Sequence, residues 1–336
     1  MKAVQITGTT GIDSLKLVKL PQPKPGHGEV LVRIHAVSLN YRDYMNVMSV
    51  RGVGGPVPRV PCSDGAGEVA GLGEGVTEWQ RGARVVIPFM PQWLDGEMTQ
   101  MQQAKALGAH VDGLMREYAV LPASCLLPIP DYLSYEEAAT LPCAAVTAWN
   151  ALVVRGQLKP GETVLVLGTG GVSIFALQFA KMTGARALAI SSSDEKCERL
   201  LALGASDVCN YRTAPAWDAW ALAHTAGLGV DKVVEIGGPD TLNRSLKAVR
   251  FGGHIALIGV LTGTSGDIQT VQILRKSIRM DGIYVGSRTM FADMLKAMQQ
   301  HQLRPVIDST FPIEEAAEAF RRIESARHVG KIVVTI

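Results

Sequence analysis

Residues 163–173 read TVLVLGTGGVS, and they decide the fold. The run 163–167 is apolar or β-branched and leads straight into Gly168-Thr169-Gly170-Gly171. Val172, Phe175, Ala176 and Phe179 then recur at helical spacing, and Gly184 marks the stop. A strand that turns through glycines into a helix aims backbone N–H groups and the positive helix end at one point. Such a point suits a pyrophosphate, which makes Gly168, Gly170, Gly171 and Val172 candidate cofactor contacts. The third small position of the glycine pattern is Ser173, still small enough for close helix–strand packing. Farther on, where an NAD site places an acid on the ribose, the chain reads Ser191-Ser192-Ser193, with Lys196 following. Hydroxyls plus a lysine accept a 2′-phosphate that a carboxylate would repel, so NADPH is expected over NADH. Ser193 or Asp194 as a helix cap and Lys196 as a solvated residue is the plainer reading, and the two are compatible.

Working outward, 336 residues correspond to about two domains at roughly 150 residues each. A hydrophobic share of 47% and a charged share of 19% describe a chain able to bury a sizeable core. A net charge of +2 without a dense Lys/Arg run argues against a nucleic-acid surface. No apolar run approaches membrane-spanning length or forms a signal peptide at the start. The five cysteines are scattered and form no C-x-x-C pair, so a reducing cytoplasm is expected.

Two styles of sequence divide the chain. Residues 1–125 hold short strand-like runs broken by Gly and Pro, which suggests a small β-barrel or folded sheet. Beyond residue 163, strands at 163–167, 186–190, 207–210, 231–235, 253–258 and 278–285 alternate with helices at 171–183, 194–203, 215–226 and 240–250. The expected architecture is α/β, with a doubly wound, six-stranded parallel Rossmann sheet binding ligand at its carboxyl ends, beside a β-rich domain. A helix at 313–325 and the closing KIVVTI are expected to return to the first domain. The division is then 1–125 with 287–336, and 126–286. A second glycine pattern, Gly65-Ala66-Gly67, lacks a preceding apolar strand and is broken by Gly71 and Gly73; it reads as turn and strand.

SLNYRD (38–43), DGAGEVAGLGEGV (64–76), LPCAAVTAWNAL (141–152), LGASDVCNYR (203–212) and GKIVVTI resemble the medium-chain dehydrogenase/reductase superfamily. Together they look like its zinc-free branch, which holds quinone oxidoreductases and enone reductases. The resemblance implies a GroES-like barrel for the first domain and a homodimer. Zinc-containing relatives carry Cys, His and Cys where this chain has Asn40, Ser63 and Cys143, with Asp64 as the adjoining acid. The loop at 90–115, which holds four cysteines in relatives with structural zinc, has none. Zinc is therefore expected at neither site, and Cys143 is expected to be a small buried thiol. The resemblance also places Asn40, Asp43 and Thr147 near the nicotinamide, and Tyr211 with Arg212 at the adenosine phosphate. It puts Lys331 on the pyrophosphate, where a surface lysine is the competing reading, and Arg288 is a weaker candidate of the same kind. Gly259, Val260 and Leu261 end the fifth strand and are expected to pass the nicotinamide.

Without a Lewis acid, oxidation of a simple alcohol loses its usual driver. Hydride addition to a quinone or α,β-unsaturated carbonyl needs only donors for the developing oxyanion. Asn40 and Tyr41 are the candidate donors; Tyr41 as a half-buried packing ring, and Arg42 pairing with Asp43, are the structural alternatives. Phe89, Met90, Trp93, Met98, Met101 and Met115 suit either an adaptable apolar substrate wall or packing beneath a long loop. Two other functions fit the same motifs: a zinc-free alcohol dehydrogenase or carbonyl reductase, and an NADPH-binding sensor without turnover.

Overall fold

The computed structural model describes residues 1–8, 11–48 and 57–336. It divides into two compact units, 1–146 with 287–336, and 147–286. Residues 126–146, expected with the dinucleotide-binding unit, lie instead with the first. The reason is local bonding: Arg84 donates to the Leu133 carbonyl, and the Cys143 N–H donates to Asp64 Oδ2 at 3.0 Å.

The first unit is built on β strands: β1 (Lys2–Ile6), β2 (Leu15–Lys19), β3 (Glu29–Ser38), β4 (Asp64–Leu72), β5 (Arg84–Ile87), β6 (Tyr118–Pro122) and β7 (Leu127–Pro128). β1 and β2 form an antiparallel hairpin. β3 organises the larger sheet. It pairs with β4 along one edge, while its other edge is shared between β6 on the first half and the C-terminal strand on the second. Gly65, Ala66 and Gly67 lie inside β4, as the absent upstream strand predicts. A Cβ at Gly67 would fall 2.0 Å from the Arg33 carbonyl oxygen, so the glycine serves close strand passage and no phosphate. The buried core of this unit includes Val32, Ile34, Val69, Val85 and Phe320.

The second unit holds β8 (Thr163–Leu167), β9 (Arg186–Ser191), β10 (Asp207–Asn210), β11 (Val230–Glu235), β12 (Val249–Leu257) and β13 (Arg279–Gly282). They form one sheet in the order β10-β9-β8-β11-β12-β13, every pairing parallel. The strand order reverses between β8 and β11, which creates the crevice where ligands of such sheets bind. Residues 164–167 are all buried, as a strand covered on both faces requires. Helices Gly171–Met182, Asp194–Leu203, Trp217–Ala223 and Pro239–Ala248 match the expected helical patterns. Three differences stand out. β12 starts earlier than expected and β13 is shorter, and helix Thr270–Lys276, which has no buried residue and so no strong apolar stripe, was not anticipated.

Residues 287–336 supply helix Arg288–His301, β14 (Ile307–Pro312), helix Ala316–Glu324 and β15 (Lys331–Thr335). β15 pairs antiparallel with β3, which puts the closing KIVVTI into the first unit's sheet. Among the described residues no helix is long and apolar enough to cross a membrane.

Candidate active site

The nucleotide half of the site grows from the β8 turn. Gly168 has φ +75°, a left-handed conformation that favours glycine. Gly170 is the N-cap of helix Gly171–Met182, and no side chain caps that end. Its first-turn N–H groups therefore remain available to an anion. A Cβ built on Gly170 would meet nothing within 4 Å, so space lies against the backbone where a diphosphate would sit. Ser173 is fully buried and donates from Oγ to the Leu167 carbonyl at 2.5 Å, tying the helix to the strand end. These features fit a dinucleotide.

On the ribose side, the Tyr211 N–H donates to the Ser191 carbonyl at 2.9 Å and brings the ends of β9 and β10 together. Ser191 is buried, Ser192 and Lys196 are half-buried, and Tyr211 and Arg212 are exposed. Ser193 does cap its helix, accepting from the Lys196 N–H at 3.4 Å, so the capping reading stands beside the cofactor one. Asp194 brings a carboxylate to this corner. Asn210 Nδ2 donates to it at 2.7 Å, while Asn210 Oδ1 accepts from the Arg212 N–H at 3.0 Å.

At the end of β11, Glu235 was missed by sequence reasoning. Its carboxylate is fully buried. Oε1 accepts from the N–H groups of Gly237 and Gly238 at 2.8 and 3.1 Å and from the Thr241 hydroxyl at 2.6 Å, and Oε2 accepts from Ser245. An acid directly after the valine pair 233–234 in an expected strand was the available signal. Gly259, after β12, is packed tightly: a Cβ there would fall 2.0 Å from the Ile236 oxygen. Val260 and Leu261 beside it are exposed, whereas Thr147 is buried on helix Val146–Trp149.

In the first unit, helix Tyr41–Met48 and the start of β15 build a polar cluster. Lys331 is not a surface residue. It is only 3% exposed, and its Nζ donates to Asn40 Oδ1 at 2.5 Å and to the Leu39 carbonyl at 2.8 Å, with Asp64 Oδ2 at 3.8 Å. These acceptors hold the ammonium inside the first unit, which corrects the competing reading of Lys331 as a surface lysine. Asp64 also accepts from the Ser63 hydroxyl at 2.7 Å. Burial pushes the Asp64 carboxyl up, opposed first by the Lys331 charge and then by hydrogen bonds from Asn40, Ser63 and Cys143. Asp43 is fully buried and accepts from the Asn40 N–H at 2.9 Å. Burial raises its carboxyl to about 6, with the Arg42 charge the main opposing influence.

The alternative in which Arg42 pairs with Asp43 is not realised as a hydrogen bond, since Arg42 Nη2 donates to the Leu107 carbonyl at 2.6 Å. Arg288 likewise has a local partner, the Leu126 carbonyl at 3.0 Å. Tyr41 is exposed, its ring 5.8 Å from that of Tyr44. Phe89, Met90, Trp93 and Met115 are buried as packing residues, Met98 is half-buried, and Met101 is exposed. The even choice for this loop therefore falls mainly to packing.

The three positions that hold zinc in relatives do not fit that ion here. The Asn40 oxygen is taken by an ammonium and the Ser63 hydroxyl donates to Asp64, which leaves the Cys143 thiol, pushed up by burial, as the one zinc-type donor of the three. Among the described residues, no group of three or more His, Cys, Asp or Glu is placed to hold a metal ion.

A parallel sheet with a glycine turn at its switch point, together with a β-rich unit carrying a polar cluster, defines a dinucleotide-dependent oxidoreductase. The comparisons agree. Residues 26–131 match the alcohol dehydrogenase GroES-like domain, and residues 171–300 match the zinc-binding dehydrogenase domain. A zinc-type alcohol dehydrogenase-like protein of Schizosaccharomyces pombe is 44% identical, over 97% of this chain and 96% of that one. An acryloyl-coenzyme A reductase of Metallosphaera sedula is 29% identical over the whole of both chains. A putative alcohol dehydrogenase structure from Sinorhizobium meliloti superposes with TM-score 0.92 at 40% identity, covering 100% of this chain and 99% of the other. A structure described as an NAD-dependent alcohol dehydrogenase gives TM-score 0.91 at 34% identity, covering both chains completely. A 2-octenoyl-CoA carboxylase reductase in complex with NADP gives 0.86 at 27%, covering 99% of this chain and 87% of that one. The chain belongs to the medium-chain dehydrogenase/reductase superfamily, as an oxidoreductase of the alcohol dehydrogenase type with a nicotinamide cofactor.

Proposed function

We propose that this chain reduces a quinone or an α,β-unsaturated carbonyl with hydride from NADPH and without a metal ion. The observation that carries this reading is the cluster around Asn40, Ser63 and Cys143, which is built on the Lys331 ammonium and lacks the donors of a Lewis-acid site. The bound reduced nicotinamide would supply the hydride. The chain's own part is to hold the diphosphate on Gly168, Gly170, Gly171 and Val172, and to meet the developing oxyanion with donors such as Tyr41. The name of the Metallosphaera relative, a reductase of a conjugated thioester, supports this class of acceptor. The relatives named alcohol dehydrogenases support a second reading, metal-independent alcohol oxidation or carbonyl reduction.

A panel of quinones, enones, simple ketones and alcohols, with the nicotinamide followed by absorbance, separates the two. Turnover of enones or quinones in the presence of a chelator is expected. Turnover confined to alcohols and simple ketones would overturn the first reading.

For the phosphate, Ser191, Ser192, Lys196 and Arg212 are the proposed contacts. With Asp194 held by Asn210, the Lys196→Ala change is expected to raise the Kd for NADPH about tenfold, or ~1.4 kcal/mol, and to leave NADH within about twofold. Fluorescence titration with both cofactors checks this, and equal losses would remove Lys196 from the phosphate site.

A further inference from the structure

Asp194 is the carboxylate nearest in the chain to Ser191, which ends β9 where an NAD site carries its ribose acid. It opens helix Asp194–Leu203, but the cap of that helix is Ser193, so the Asp194 carboxylate is not needed for capping. A carboxylate in a first helical turn is drawn to the positive helix end, which also attracts a phosphate. Asn210 holds it elsewhere. This residue ends β10 and pairs in register with Ser191. Its Nδ2 donates to Asp194 Oδ1 at 2.7 Å, and its Oδ1 accepts from the Arg212 N–H at 3.0 Å. A carboxylate only accepts and a backbone N–H only donates, so the amide satisfies both in one orientation alone. The Asn210 carbonyl is held as well, accepting from the Ala214 N–H at 2.8 Å and the Thr213 hydroxyl at 3.2 Å. One side chain thus ties the helix start to the turn that carries Tyr211 and Arg212. Aspartate in its place would set two carboxylates against each other, and leucine would offer neither bond.

We propose that Asn210 determines cofactor specificity by holding the Asp194 carboxylate against the β10 turn, where it does not oppose the 2′-phosphate of NADPH. This rests on the reading of the chain as an NADPH-dependent enzyme. Asn210 acts through Asp194 and is a positioning residue. Released from the amide, Asp194 would turn to the ribose, repel a 2′-phosphate and accept from ribose hydroxyls, which is the arrangement that favours NADH. Asp194 is exposed and Asn210 half-buried, so the effect is modest and weakens with salt.

Adenosine 2′,5′-bisphosphate and 5′-AMP are the probes, because they differ by the 2′-phosphate alone. Their Kd values are measured by titration calorimetry on the intact protein. Asn210→Ala is expected to weaken the bisphosphate about fivefold and to leave AMP within about twofold. That loss relative to wild type is expected to fall below about twofold at about 1 M salt, where screening is nearly complete. In an Asp194→Asn background, Asn210→Ala is expected to move neither Kd by more than about twofold. A merely structural Asn210 predicts equal losses for both probes and no rescue by Asp194→Asn. That result would overturn the proposal, as would an unchanged ratio of the two Kd values. Should Asn210→Ala not fold, Asp194→Asn alone decides. Bisphosphate affinity within about threefold of wild type is expected, whereas a larger gain would show that the carboxylate already opposes the phosphate and would overturn the proposal. A wild-type protein that binds the bisphosphate no more tightly than AMP would overturn the NADPH reading. Asn210 would then keep its role only if Asn210→Ala still turned the ratio towards AMP, and would lose it otherwise.

Discussion

Replacing Glu235 with leucine is expected to destabilise the protein by about 3–5 kcal/mol, because one buried carboxylate serves four donors. Leucine has comparable bulk and no acceptor. The Gly237 and Gly238 N–H groups would be stranded in a region that excludes water, and the Thr241 and Ser245 hydroxyls would lose their partner. The loop they close follows β11 at the carboxyl end of the sheet, so cofactor affinity should fall with stability. Denaturant unfolding, read by the fluorescence of Trp149, Trp217 and Trp220 in the same unit, measures the first effect. Glu235→Gln provides the contrast: its amide oxygen still accepts from the two glycines, and the expected cost is about 1–2 kcal/mol. A leucine variant within about 1 kcal/mol of wild type would show that the loop does not depend on the carboxylate.

Gly170→Val is expected to leave the fold intact and to weaken NADPH binding by about 100-fold, or ~2.7 kcal/mol. The backbone at Gly170 (φ −70°, ψ 174°) is extended and open to any residue, and a Cβ there meets nothing within 4 Å. The open space is therefore useful to something outside the chain, and valine would fill it. Gly259→Ala should behave in the opposite way, since its Cβ would collide with the Ile236 oxygen 2.0 Å away and the strand end would have to shift. Melting curves and cofactor titrations on both variants separate a glycine kept for a ligand from a glycine kept for packing. Cofactor affinity within about twofold of wild type in Gly170→Val would remove that residue from the binding surface.

Legibility followed the range of the interaction. The β8 strand, the glycine turn and helix Gly171–Met182 were readable because periodicity, left-handed glycine and helix caps act within a few residues. The rejection of Gly65-Ala66-Gly67 as a phosphate loop rested on the same local evidence, and β4 runs through it. Lys331 shows the limit. Its acceptors, Leu39 and Asn40, lie far away in the chain, and they meet it because β15 pairs with β3. Arg42 and Asp43 are adjacent in sequence, which left a pair between them open as an alternative, yet helix geometry sends one to Leu107 and turns the other back to Asn40.

TVLVLGTGGVS and its flanks were enough to read a strand–glycine–helix unit for a phosphate-bearing nucleotide and a parallel sheet around it, while Asn40 and Ser63 stand where the resemblance places zinc donors. Alternation, helical spacing and residue chemistry carry that information along the chain itself. Tertiary contact alone revealed that the Asn40 oxygen and the Asp64 carboxylate gather around the Lys331 ammonium, and that Glu235 wires the loop after β11. These are matters of burial and of partners remote in sequence. A side chain's neighbours, and so its charge state and its unused bonds, exist only once the sheets have paired.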